Sequence, residues 1–215
     1  MVKNDLILKA WNVILPEYCL GCNKKGSLLC NQCYLLIHFN PTPTKNFLFQ
    51  QDCLDQVLCL ATYQPPISNL IRGLKYHNIK KISVVLADLL YYHLNIKIYH
   101  VITWVPTSKK RINERGFNQA QLIAENLAIK LNINSLALIK KTRHTHKQAQ
   151  SSFQQRMHNL KKSFLINDWS PVFIKNKNIL ILDDVVSTGS TLNECAKILK
   201  KAGAKTVTGL AIAKS

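Results

Sequence analysis

The stretch ILILDDVVSTGST, residues 179–191, decides how the rest of the chain is read. It opens with four apolar residues in a row, Ile179 to Leu182, the pattern of a strand buried on both faces of a parallel sheet. Asp183 and Asp184 follow, then Val185 and Val186, then the small-residue run Ser187-Thr188-Gly189-Ser190-Thr191. Leu192, Cys195, Ala196, Leu199 and Ala202 next recur at helical spacing, with Lys200 and Lys201 in the last turn and Gly203 as the expected C-cap. The acids and hydroxyls are therefore expected at the carboxyl end of a strand, in the turn that opens a helix. In open α/β sheets that crevice is where ligands bind.

The residue types in this turn suit a sugar phosphate. A helix N-terminus offers unpaired N–H groups and a partial positive charge, which favour an anion. Gly189 allows close backbone approach, and Ser187, Thr188, Ser190 and Thr191 add hydroxyl donors. Two carboxylates would repel a phosphate, so they are expected to accept from neighbouring sugar hydroxyls. A ribose 5-phosphate along the turn satisfies both ends. Simple helix capping would need one acid or one Ser, and this turn holds two acids and four hydroxyls. No Gly-Lys-Ser/Thr and no GxGxxG occurs in the chain, which excludes the Walker and dinucleotide-binding loops.

Outward from that corner, residues 57–63 and 100–105 read as further strands and 205–213 as a last one. Ile67, Leu70, Ile71 and Leu74 have helical spacing, as do Ile82, Val85, Leu86, Leu89 and Leu90. Asn118 is a candidate N-cap for a helix whose buried stripe is Ala120, Ile123, Ala124, Leu127 and Leu131. Before it lies a basic loop, Pro106-Thr107-Ser108 with Lys109, Lys110 and Arg111, and then Arg115-Gly116-Phe117. A second strand-to-helix corner rich in cations would suit a diphosphate near the first. Residues 136–139 read as a short strand and 164–166 as an edge strand. Between them, Lys140, Lys141, Arg143, His144, His146, Lys147, Gln148 and Gln150 show no apolar period. No carboxylate stands near His144 and His146 in sequence, so they are not read as metal ligands. Ser152 and Gln155 form a capping box for a helix with Phe153, Met157 and Leu160 on one face and Arg156 on another.

The N-terminal part is built differently. Leu6, Ile7, Ala10, Trp11 and Ile14 form an amphipathic stripe ended by Pro16. Cys19 and Cys22, then seven residues, then Cys30 and Cys33 make two C-x2-C knuckles, whose four thiolates can close a tetrahedral zinc site. A closed set leaves no open coordination position, so the role is structural. Cys53, Cys59 and Cys195 lack such spacing and are read as small buried residues. Pro41-Thr42-Pro43-Thr44 reads as a linker, giving a zinc module over 1–50 and a larger domain over 51–215. Formal net charge is +18 over 215 residues, spread through folded-looking sequence, which favours polyanionic partners such as phosphates or nucleic acid. No signal peptide or membrane span is evident, so a cytoplasmic protein without membrane insertion is expected.

LILDDVVSTGST resembles the 5-phosphoribosyl-1-diphosphate (PRPP) loop of type I phosphoribosyltransferases. Together with 105–128 (VPTSKKRINERGFNQAQLIAENLA), 140–164 (KKTRHTHKQAQSSFQQRMHNLKKSF) and the four N-terminal cysteines, it makes the chain resemble the ComF family of bacterial competence proteins over nearly its whole length. The resemblance implies an α/β fold, a mostly parallel sheet flanked by helices with a small N-terminal zinc ribbon. It implies PRPP held by Asp183, Asp184, Val185, Val186, Ser187, Thr188, Gly189, Ser190 and Thr191, with Mg²⁺ bridging diphosphate and ribose. It implies a pyrophosphate-side loop of Thr107, Ser108, Lys109 and Arg111, although Thr107-Ser108 stands where the family more usually has Leu-His. Lys75 and Tyr76 match a position the family keeps basic and aromatic, and the polar segment after Ile139 matches a catalytic lid. The family implies a role in natural transformation, handling incoming single-stranded DNA beside competence-machinery proteins such as a helicase. Arg115, Lys140, Lys141, Arg143, Lys147 and Arg156 are candidate backbone contacts, with Phe117 or His144 to stack on a base. Whether transferase catalysis on a nitrogen acceptor accompanies this stays open, because fold does not fix activity.

Overall fold

The computed structural model describes residues 17–40, 53–94, 99–142 and 163–215. The N-terminal stripe, the proline linker with the boundary near 50, and the segment from Arg143 through the capping box lie outside the described residues. The elements in order are α1 (Asn31–Tyr34), β1 (Gln56–Thr62), α2 (Ile67–Tyr76), α3 (Ile82–His93), β2 (Val101–Trp104), α4 (Lys109–Arg115) and α5 (Gln119–Leu131). β3 (Asn134–Ser135), β4 (Ile139–Lys141), β5 (Phe164–Ile166), α6 (Pro171–Ile174), β6 (Asn178–Val186), α7 (Ser190–Lys201) and β7 (Thr206–Lys214) complete them.

Five strands form one sheet in the order β1-β7-β6-β2-β3, each neighbouring pair parallel. The unalternating run of β6 follows from this position, since it lies between β7 and β2 with a helical layer on each face. Ile179 and Ile181 join the core under α7, with Leu192, Cys195, Ala196 and Leu199. Leu180 and Leu182 join the opposite core, packed by α2, α3 and α5. Ile67, Leu70, Ile71 and Leu74 of α2, and Ile123, Ala124 and Leu127 of α5, are buried there as their spacing requires. Cys59 and Cys195 are buried as expected, whereas Cys53 is only partly so. Among the described residues no helix is long and apolar enough to cross a membrane.

Three expectations change. The β6 ladder continues past the acids to Val186, pairing Asp183 with Ala211 and Val186 with Lys214, so the acids belong to the strand and not to the turn. The expected strand 136–139 is replaced by β3 on the main sheet and β4, which pairs antiparallel with β5 in a separate ribbon. The basic run Lys109 to Arg111 is helical: Ser108 Oγ accepts from the Arg111 N–H at 3.3 Å, and Gly116, at φ +80°, ends α4.

The cysteine segment packs on this frame. Leu28 and Ile37 enter the α2/α3/α5 core, Phe39 bridges Ala61 of β1, and Leu20 O accepts from Asn69 Nδ2 at 2.9 Å. Tyr34 Oη lies 2.8 Å from His93 Nε2, and the Phe39 ring stacks on His93 at 3.7 Å.

Candidate functional site

The cleft lies at the carboxyl ends of β6 and β2, with a volume of about 310 Å³. Because strand side chains alternate, Asp183 continues the face covered by α7 and Asp184 the face covered by α2. Both line the cleft. Lys75 of α2 reaches Asp184 Oδ2 at 2.8 Å. The Asp183 carboxylate accepts from the Asp184 N–H at 2.8 Å. Desolvation pushes the Asp183 pKa up to about 7, helped by the charge of Asp184 and opposed by that N–H, Lys75 and Arg111. Burial likewise pushes the Cys195 thiol beneath Asp183 well up, which keeps it protonated and inert.

Cations line the rest. Arg111, Arg115 and Lys141 face the same space as Thr107, Gln119 and Phe164. Desolvation, then the nearby Arg111 charge, lowers the Lys141 pKa, and its Nζ lies 5.5 Å from the Phe164 ring centre. Arg115 lies 5.2 Å over the ring of exposed Tyr76. The turn after β6 closes one side. Gly189 sits at φ +78° as the N-cap of α7, a conformation that favours glycine, and Thr188 Oγ1 donates to Ser190 Oγ at 3.1 Å. The Ser190 N–H turns back to Thr188 Oγ1 at 3.4 Å, and the helix N-terminus that follows gives this turn the character of an anion cradle.

Of the residues expected to hold PRPP, Asp183, Asp184, Val185 and Thr191 line the cleft. Ser187 and Thr188 are exposed and, with Gly189 and Ser190, are not among the lining residues, while Val186 is buried with its carbonyl accepting from the Ser215 N–H at 3.0 Å. On the pyrophosphate side Thr107 and Arg111 line the cleft, and Ser108 caps α4. Among the DNA candidates, Arg115 and Lys141 are in the cleft, and Lys140 points elsewhere to Asp168 at 3.1 Å. Arg143, Lys147 and Arg156 lie outside the described residues. Sequence reasoning passed over Gln119, which lines the cleft one residue after the expected cap Asn118. Asn118 Oδ1 accepts from the Ala120 N–H at 3.0 Å and its Nδ2 donates to Val105 O at 2.9 Å, tying α5 to the end of β2. The signal was the polar pair following Arg115-Gly116-Phe117.

At the other end, the Sγ atoms of Cys19, Cys22, Cys30 and Cys33 all lie within 4.8 Å of one another, a set that could hold a metal ion. Desolvation raises the Cys19 thiol, but N–H groups of Cys30, Cys22 and Gly21 outweigh it and bring it down to about 6. Desolvation and the three neighbouring cysteines push Cys33 the other way, up to about 12, so four thiolates at this spacing would need a cation to offset their mutual repulsion.

A parallel sheet whose acid pair and glycine turn close a cationic cleft is that of a type I phosphoribosyltransferase-like protein, and residues 113–213 match the phosphoribosyl transferase domain. The sequence is 32% identical over 199 residues to Competence protein F of Haemophilus influenzae, covering 88% of this chain and 86% of that protein. It is 30% identical over 215 residues to the DNA utilization protein YhgH of Shigella flexneri, covering 96% and 92%. The chain belongs to the ComF competence protein family. Adenine phosphoribosyltransferase of Leishmania tarentolae superposes with a TM-score of 0.43 at 13% identity, over 81% of this chain and 95% of that one.

Proposed function

We propose that this protein binds PRPP with Mg²⁺ in the β6–β2 cleft and acts in the cytoplasm on single-stranded DNA taken up in natural transformation. The observation that carries the ligand reading is the pairing of two half-buried acids with a glycine-hinged helix N-terminus on one cleft. Acids meet ribose hydroxyls, the N-terminus of α7 meets the 5-phosphate, and Arg111, Arg115 and Lys141 face the diphosphate. Mg²⁺ would supply charge neutralisation between diphosphate and ribose. DNA handling is inferred from relatives named for competence and DNA utilization and from the excess of 29 Lys and Arg over 11 Asp and Glu. The four cysteines are assigned to a structural zinc ion, and a helicase of the competence machinery is the expected protein partner.

A transferase reading is favoured by one observation: the acid pair and the glycine turn are intact. Cations would then stabilise the departing diphosphate while a nitrogen acceptor attacks the anomeric carbon.

Calorimetric titration with Mg²⁺–PRPP tests the ligand assignment. The wild-type chain is expected to bind, and the Asp183→Asn/Asp184→Asn variant to bind at least tenfold more weakly, about the loss of one charge-assisted hydrogen bond. Equal binding by both would sink the assignment.

A further inference from the structure

Gln119 is 3% exposed, and its side chain lines the cleft. Arg115 Nη1 donates to Gln119 Oε1 at 3.3 Å. A guanidinium can only donate, so the oxygen of the amide must face Arg115 and its NH2 must face away. Among the described residues that buried Nε2 has no hydrogen-bond partner. Buried donors are normally satisfied, and an orphan sealed in the wall of a binding cleft is relieved when the amide turns to an acceptor brought by the ligand. Gln119 is the first residue of α5, a helix of 13 residues, so the partial positive charge of the helix end acts at the same place. With Arg115 beside it and Arg111 and Lys141 in the same cleft, the acceptor that fits is an anionic oxygen.

We infer that Gln119, oriented by Arg115 at the head of α5, donates to an anionic phosphoryl oxygen of the cleft ligand and so discriminates diphosphate-bearing ligands from the monophosphate. This rests on the phosphoribosyl reading and moves part of the diphosphate contact from Thr107 and Arg111 to α5. The acids and the α7 turn hold the ribose and its 5-phosphate, which leaves the diphosphate arm to meet the donor on α5.

The test titrates Mg²⁺–PRPP, Mg²⁺–diphosphate and ribose 5-phosphate into the full chain and into Gln119→Met, with thermal melting alongside. Methionine keeps the volume but removes the orphan donor together with the acceptor for Arg115, so thermal melting checks only that the fold is kept, while Gln119→Glu keeps the acceptor and removes the donor alone. Affinity for PRPP and diphosphate should fall about tenfold while ribose 5-phosphate binds as before. Gln119→Glu places a negative charge in the same spot and should weaken both diphosphate ligands further. Unchanged diphosphate affinity in Gln119→Met and Gln119→Glu, or an equal loss for ribose 5-phosphate, would each overturn the assignment. A wild-type chain that binds none of the three would remove the phosphoribosyl reading itself. Binding of PRPP by wild type and Gln119→Met alike would remove the Gln119 role alone.

Discussion

Loss of water around the carboxylate and the charge of Asp184 beside it hold the Asp183 pKa well above the usual carboxylate range, up to about 7. A ligand that brings hydroxyl donors, or Mg²⁺, favours the ionised form and must expel that proton. Below pH 7, affinity for Mg²⁺–PRPP should therefore rise with pH, approaching tenfold per unit, and level off above it. The same titration should show net proton release when repeated near pH 7 in buffers of different ionisation enthalpy. Asp183→Asn should bind more weakly with the slope removed. The sign for stability runs the other way. The folded pKa of about 7 lies above the ordinary 3.8, so the unliganded fold binds the proton more tightly than the unfolded chain. It therefore loses stability as pH rises from about 4 to about 7. A pH-independent affinity in the wild-type chain would show that Asp183 does not face the ligand.

At the scale of elements, the cysteine knuckles were readable in advance because all four cysteines sit within one short segment and carry their own spacing. What holds that segment to the rest was not readable. Tyr34 finds His93 59 residues away, and Leu20 packs against Gly73 of α2, contacts that only the folded chain brings together. The site divides in the same way. Asp183, Asp184 and the α7 turn are consecutive in sequence, whereas Lys75, entering from α2, stood out only by family resemblance and Gln119, entering from α5, not at all. The knuckle makes its own prediction through Gly21, where a Cβ would stand 2.6 Å from Cys33 Sγ. Gly21→Ala must displace that sulfur, so native mass spectrometry should find one zinc in the wild-type chain and partial or no occupancy in Gly21→Ala. Cys19→Ser should release the metal outright. A metal-free wild-type chain with its thermal transition intact would end the zinc assignment.

For the whole molecule, the strand order could not be read from periodicity, because it depends on which distant strands pair. β7 closes the chain yet lies between β1 and β6, and its Gly209 lets Leu192 and Val57 side chains approach within 3.3 Å of where a Cβ would be. Charge, in contrast, was legible at once and belongs to the molecule as a whole. A net +18 gives a long-range field that gathers polyanions, but only cations that meet phosphates release counterions on binding. Single-stranded DNA affinity should therefore fall linearly on a log–log plot against salt, with a slope of about −0.7 per phosphate contact. Arg115 and Lys141 face the open cleft, so Arg115→Ala and Lys141→Ala should each flatten that slope by about 0.7 if strand and cleft meet. Lys140, engaged with Asp168 at 3.1 Å, should matter less. Saturating Mg²⁺–PRPP should then compete with the strand, since the same cations would serve both. A salt-independent affinity would remove DNA binding from the proposed function. A steep slope unmoved by Arg115→Ala, Lys141→Ala or PRPP would place the strand on a surface away from the cleft.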